Sequence, residues 1–302
     1  MSTTNLGSQT KQPKFDYLEA KTTRETCSFL SQYKDKAKLI AGGTDLLVSM
    51  RKKKITPSYL INIKTIPNLD YISYDGESLN IGTLATLSEI ENSPLVRDRA
   101  PVISNSAHQI GSQQIRNLGT VGGNLCNASP AADMAPSLIA LGGKAKLKSL
   151  KGERVVSLEE FFIGPGETVL QSDEILTEIQ VPNPPPNTQG VYLKLPARTA
   201  IDLAVVGVAT VVTLDSNRTN IIDVKIVLGA VAPTPIRARG AEGIIRGKFV
   251  EENLIEKAAG VAAEEAQPIS DIRGSASYRK EIVKVLTNRG LRQALTSALG
   301  KI

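Results

Sequence analysis

Gly119-Thr120-Val121-Gly122-Gly123-Asn124-Leu125-Cys126-Asn127-Ala128-Ser129-Pro130-Ala131-Ala132-Asp133 is the densest run of small residues in the chain. Side chains this short cannot build a core by themselves, so the run reads as a loop made for backbone contact with something else. A second stretch of the same character lies upstream, where Ala41-Gly42-Gly43-Thr44-Asp45 follows the apolar strand Lys38-Leu39-Ile40. Each glycine pair is followed by a hydroxyl or amide residue, Thr44 in one case and Asn124 in the other. That composition presents successive N–H groups to an anion, although ordinary tight turns use the same residues. At the first turn Asp45 would repel a phosphate unless it caps the helix that follows. G-x-G-x-x-G is absent at both turns and G-x-x-x-x-G-K-[ST] is absent everywhere, which disfavours a Rossmann dinucleotide site and a P-loop.

Outward from these turns, residues 15–20 read as a strand and Thr22-Thr23-Arg24-Glu25 as a capping box for a helix reaching Gln32. After Asp45, the residues Leu46, Leu47 and Met50 share one helical face, and Pro57 closes the segment before a strand at 59–63. Strand, Gly-rich turn, helix and strand make a βαβ-like unit. A second unit starts with a strand at 79–83 and a capping box at Thr86-Leu87-Ser88-Glu89. Helical sequence punctuated by Pro94 and Pro101 then leads to Ile110-Gly111. A hairpin (145–148 and 154–157) and a strand at 174–181 complete it. Pro182-Asn183-Pro184-Pro185-Pro186-Asn187 is a linker, since successive prolines deny the backbone its ladder donors. Beyond it, strands at 191–195, 203–214 and 221–228 precede helical patterns at 251–266 and 275–299, an α+β order. The expected division is a polar tail at 1–14, a first domain at 15–182 with parts at about 15–64 and 65–182, a linker at 183–189, and a C-terminal domain at 190–302.

Composition removes several functions. At 302 residues, with 41% hydrophobic and 22% charged residues, the chain has material for two or three packed units and is not disordered. Its 36 Lys and Arg against 30 Asp and Glu are scattered, except for Arg51-Lys52-Lys53-Lys54, which reads as a solvated helix end. With aromatics at 4% and no Trp, nucleic-acid binding is not expected. One histidine, His108, and two cysteines, Cys27 and Cys126, cannot build a zinc site or the four thiolates of an iron–sulfur cluster. His108 reads as a satisfied, partly buried imidazole, Cys126 as a thiol packing like Ala or Ser, and Cys27 as core. The polar start and the strand-like character of 203–214 argue against a signal peptide and a membrane span, so a cytoplasmic location is expected.

Taken together, Ala41-Gly42-Gly43-Thr44-Asp45-Leu46-Leu47 and the run from Thr120 to Asp133 resemble the two FAD-binding segments of the molybdenum hydroxylase flavoproteins. These are the medium subunits of enzymes similar to xanthine dehydrogenase, carbon monoxide dehydrogenase and 4-hydroxybenzoyl-CoA reductase. The resemblance runs from about Phe15 to Leu299. It implies an α+β chain with a two-part FAD-binding region of the PCMH/VAO-like type and a CO dehydrogenase flavoprotein C-terminal α+β domain. FAD, bound non-covalently, is expected between the first two parts, with its pyrophosphate on the Gly turns. By resemblance, Lys38, Leu39, Ile40, Ala41, Gly42, Gly43, Thr44, Asp45 and Leu46 wrap the diphosphate. Gly119, Thr120, Gly123, Asn124, Asn127 and Asp133 continue toward ribose and adenine, where a carboxylate such as Asp133 suits a ribose hydroxyl. Ile175 and Leu176 match positions beside the adenine, Lys194 matches a lysine near the flavin ring, and Ile110 and Gly111 join the same cofactor set.

The resemblance also implies partners. A chain with FAD alone, no metal and no catalytic residue of its own is expected to pass electrons between [2Fe–2S] clusters of a small subunit and an external acceptor. Molybdopterin is expected on a large subunit, and a dimer of heterotrimers is the expected assembly. The Cys-rich insert that holds a [4Fe–4S] cluster in relatives of the 4-hydroxybenzoyl-CoA reductase subunit has no counterpart in two cysteines. The alternative is a stand-alone FAD-dependent oxidoreductase acting on its own small molecule, for which only Lys194, Arg198 and Asp202 offer an acid or base. A FAD-less assembly factor is a third reading, opposed by two intact Gly loops.

Overall fold

The computed structural model describes residues 14–198, 202–249 and 251–300, so nearly all of the expected polar tail lies outside the described residues. The first unit runs β1 (Asp16–Glu19), α1 (Thr23–Tyr33), β2 (Ala37–Ile40), α2 (Leu46–Arg51) and β3 (Tyr59–Asn62). Its three strands pair in parallel in the order β1-β3-β2, the βαβ-like arrangement expected. Thr22 Oγ1 accepts the Glu25 N–H, while the Glu25 carboxylate reaches the N–H of Lys21 rather than that of Thr22. At Gly43 the chain takes φ 72, a left-handed turn that glycine adopts without steric cost, and passes from β2 into α2. The apolar face expected on α2 is narrower than its pattern: Met50 is buried, Leu46 is half-buried and Leu47 is exposed, because this helix has only six residues and lies at the surface. The basic run Arg51 to Lys54 is exposed, as expected of a solvated helix end.

The second unit runs β4 (Ile72–Tyr74), β5 (Ser78–Gly82), α3 (Leu87–Asn92), α4 (Pro94–Arg99), α5 (Pro101–His108), α6 (Gln113–Arg116), α7 (Val121–Cys126) and α8 (Met134–Ala140). It continues with β6 (Lys144–Ser149), β7 (Gly152–Ser157), α9 (Leu158–Phe161), β8 (Phe162–Gly164), β9 (Glu167–Thr168) and β10 (Ile175–Pro182). Five of these strands form an antiparallel sheet in the order β4-β5-β10-β6-β7. The helices settle on it through Ile81, Ile103, Leu125, Leu138 and Leu147, all removed from solvent. Thr86 and Glu89 form the expected reciprocal cap, and Pro94 and Pro101 open α4 and α5, where a missing N–H costs nothing. One expectation is corrected here. The run from Gly119 to Asp133 is not a loop throughout, because Val121–Cys126 is helical. Its two glycines count against a helix, but Thr120 Oγ1 accepts the Gly123 N–H and caps the turn, and Val121 and Leu125 are buried.

The third unit runs β11 (Thr188–Pro196), β12 (Ala204–Leu214), β13 (Asn220–Gly229), β14 (Ile236–Arg237), α10 (Arg239–Ile245), β15 (Lys248–Phe249), α11 (Glu252–Glu265) and α12 (Ala276–Ala298). The antiparallel order is β11-β12-β13-β14, with β15 also on β13. Every residue of β12 is buried. Alternation along the strand explains why: Val206, Val208 and Val212 join the core beneath α11 and α12, whereas Ala209 and Val211 join the core of the second unit. This strand therefore glues the third unit to the second, with α5 and α8 packed on the opposite face of the sheet from α12. The chain is α+β. Among the described residues no helix is long and apolar enough to cross a membrane.

Candidate cofactor site

All the residues assigned from the resemblance line one cavity of about 910 Å³, near the top of the roughly 300–1,000 Å³ range of small-molecule and cofactor sites. The first unit supplies Lys38 to Leu46, and the second supplies Ile110, Gly111, Gly119, Thr120, Gly123, Asn124, Asn127, Asp133, Ile175 and Leu176. The third unit supplies Lys194. Residues with no motif to mark them line it as well: Thr83, then Gly166, Glu167 and Thr168 of the β8–β9 hairpin, and Gln171, Ser172 and Glu174 before β10. Only tertiary packing brings these there.

The two glycine pairs divide their work. A Cβ on Gly42 would stand 1.9 Å from the Leu118 carbonyl oxygen, and one on Gly122 would stand 1.8 Å from Thr83 Oγ1. These first glycines allow close approach of backbone segments. The second glycines are different, for Gly43 makes the left-handed turn and Gly123 is exposed with only Thr120 Oγ1, at 3.0 Å, near its missing side chain. Gly123 thus leaves a bare backbone that a phosphate can approach. Next to it, Asn124 Oδ1 is buried with no hydrogen-bond partner, an acceptor that suits a hydroxyl or N–H of a bound molecule. The size of the cavity, the bare Gly123 and the orphaned acceptor fit a dinucleotide.

Also on the cavity wall, the Asp133 carboxylate accepts the Tyr192 hydroxyl at 2.7 Å and Lys194 Nζ at 2.9 Å. Lys194 Nζ also donates to the Gln109 carbonyl at 2.8 Å. Burial raises the Asp133 carboxyl above its ordinary range, against the attraction of Lys194 and the Tyr192 hydrogen bond. Burial first, and the Asp133 charge second, push the Tyr192 hydroxyl far above its usual range. Asp45 heads α2 but does not cap it: its backbone is helical (φ −99, ψ −45), not the extended form that lets a cap side chain fold back, and its carboxylate meets Thr44 Oγ1 instead.

Burial pushes the Cys126 thiol up to about 12, leaving it a neutral packing group. Cys27 is core, as expected. His108 departs from its expected burial, with a side chain 68% exposed, because it sits in the last turn of α5; its Nδ1 lies 2.6 Å from Glu91. Among the described residues no group of three or more His, Cys, Asp or Glu could hold a metal ion.

Residues 13–184 match the family model described as the FAD binding domain in molybdopterin dehydrogenase, and residues 191–294 match the CO dehydrogenase flavoprotein C-terminal domain. The chain belongs to the FAD-binding subunits of the molybdenum hydroxylase family, and it is a flavoprotein oxidoreductase subunit with FAD as its cofactor. It is 34% identical to the glyceraldehyde dehydrogenase medium chain of Sulfolobus acidocaldarius, over 93% of this chain and 98% of that one. It is 33% identical to the carbon monoxide dehydrogenase medium chain of Hydrogenophaga pseudoflava, over 93% and 97%. A solved structure of carbon monoxide dehydrogenase from Hydrogenophaga pseudoflava superposes with a TM-score of 0.91 at 32% identity, covering 95% of this chain and 99% of that chain.

Proposed function

We propose that this chain carries electrons through FAD between the [2Fe–2S] clusters of a small partner subunit and an external acceptor, while substrate chemistry takes place on a large molybdopterin subunit. The assembly proposed is a dimer of heterotrimers in the cytoplasm, and the chain divides at 183–189 into a FAD-binding domain and a C-terminal domain. When bound, FAD supplies a ring able to exchange electrons singly with an iron–sulfur centre and in pairs with other acceptors.

The chain's own residues then have binding roles. The backbone at Gly43 and Gly123 receives the diphosphate, and Asn124 Oδ1 accepts a hydrogen bond from the bound molecule. Ile175 and Leu176 wall the adenine end. Lys194, Ile110 and Gly111 mark the ring end, with Lys194 providing a fixed positive charge beside the ring. The observation that carries this reading is the state of Lys194. Its ammonium already donates to Gln109 and pairs with Asp133, so the lysine that a stand-alone oxidase would use as a base is engaged in holding the site together. Purifying the protein from its native host tests the proposal. Co-elution with iron–sulfur and molybdopterin chains supports it, and a yellow protein that elutes alone and oxidises a small molecule supports the stand-alone reading.

A further inference from the structure

We propose that Arg116 is a positioning residue for the flavin ring, acting through the Ile110–Gly111 turn; this rests on the reading above that puts the ring at the Lys194 end. Arg116 closes α6 and is almost wholly buried. Its Nη1 donates to the carbonyls of Ile110 at 3.2 Å and Gly111 at 3.1 Å, both residues of the cavity wall. The remaining nitrogens aim the guanidinium, Nε on the Glu91 carboxylate at 2.6 Å and Nη2 on Gln113 Oε1 at 2.9 Å.

Glu91 in turn meets His108 Nδ1 at 2.6 Å. Burial works against ionisation of Glu91, but the His108 and Arg116 hydrogen bonds outweigh it and hold the carboxyl below its usual range. Gln109 is fixed from the opposite side, with its carbonyl on Lys194 and its side-chain amide on the Tyr192 carbonyl at 3.3 Å. Each residue from His108 to Gly111 is therefore tied to a group on another element. Gly111 needs this restraint, because it turns at φ 50 and glycine is the most easily rearranged residue there is. A wall fixed before the ring arrives saves the ordering cost at binding. The planar fork of an arginine reaches two carbonyls and a carboxylate together, which a lysine ammonium cannot do with the same geometry.

The test compares FAD with ADP, which has the adenine, ribose and diphosphate but no ring, by calorimetric titration of the full chain. Arg116→Gln is expected to weaken FAD roughly tenfold, the scale of one lost charge-assisted hydrogen bond, and to leave ADP unchanged. The flavin that does bind should fluoresce more strongly, and Arg116→Lys should recover part of the loss. Glu91→Gln should act in the same direction with smaller effect, and it carries the test if Arg116→Gln does not fold. Equal losses for FAD and ADP would overturn the proposal, since Arg116 would then only support the nearby Gly119 turn, and so would unchanged FAD affinity. A wild-type chain that binds FAD no better than ADP would instead overturn the placement of the ring.

Discussion

Lys194 on β11 and Asp133 at the end of the small-residue run form an ion pair at 2.9 Å, with both side chains almost completely buried. It ties the third unit to the second at the rim of the cofactor cavity. Removing one partner of such a pair leaves the other charge buried and uncompensated, which costs about 3–5 kcal/mol. Lys194→Met should therefore lower the melting temperature at neutral pH.

The sign of its pH dependence follows from Asp133, whose folded-state carboxyl is already raised and rises further without Lys194. A carboxyl raised on folding favours the folded state below its unfolded value, about 3.9, and loses that contribution as pH rises through the folded value. The deficit of Lys194→Met relative to wild type should be smallest in acid, where Asp133 is protonated in both proteins, and grow as pH rises above the wild-type folded value. Thermal melts from acid to neutral pH check it, and a deficit independent of pH would show that Asp133 is not the charge left buried and unpaired.

The division of the glycine pairs predicts two kinds of variant. Gly122→Ala drives a Cβ into Thr83, and Gly42→Ala drives one into the Leu118 carbonyl, so each should lose fold stability by about 1–3 kcal/mol or more. Gly123→Val should stay folded and lose FAD, because its side chain enters the space a phosphate oxygen needs. Gly43→Val adds strain at φ 72 and should also lose the cofactor. Wild-type flavin content in Gly123→Val, measured by absorbance, would remove that loop from the site.

Asn124→Ala should separate binding from stability. Deleting a buried acceptor that has no partner in the protein is close to neutral for folding, whereas FAD should weaken by about tenfold, the loss of one hydrogen bond. Urea unfolding of the FAD-free protein and a flavin titration report the two effects independently.

FAD should be released intact by acid precipitation, with the yellow colour in the supernatant. Cys126 is a neutral thiol and His108 does not line the cavity, so neither offers an attachment point. Colour retained in the pellet would contradict non-covalent binding.

Much of this was legible in the sequence because the informative residues report on backbone geometry directly. The Thr86 cap, the prolines opening α4 and α5, and the valine-rich run of β12 specify local structure through their own sterics and hydrogen bonds. What escaped depends on partners distant in sequence. The helix at Val121–Cys126 forms despite its glycines because Thr120 caps it and the core accepts Val121 and Leu125. The packing role of Gly122 becomes visible only beside Thr83, and that of Gly42 only beside Leu118. Arg116 sits outside both Gly motifs, and nothing in its neighbourhood of sequence shows that Glu91, Ile110 and Gly111 converge on it. The β8–β9 hairpin closes one side of the cavity without any motif of its own.

The central claim is that electrons reach the flavin of this chain from a partner subunit and not from an organic substrate. The most direct measurement is anaerobic bleaching of the main visible flavin band after adding purine, aldehyde or thioester substrates, with and without the iron–sulfur and molybdopterin chains. The account predicts that the substrate of the assembled complex bleaches the complex rapidly and leaves the isolated chain unchanged. Rapid bleaching of the isolated chain would contradict it and establish a stand-alone oxidoreductase.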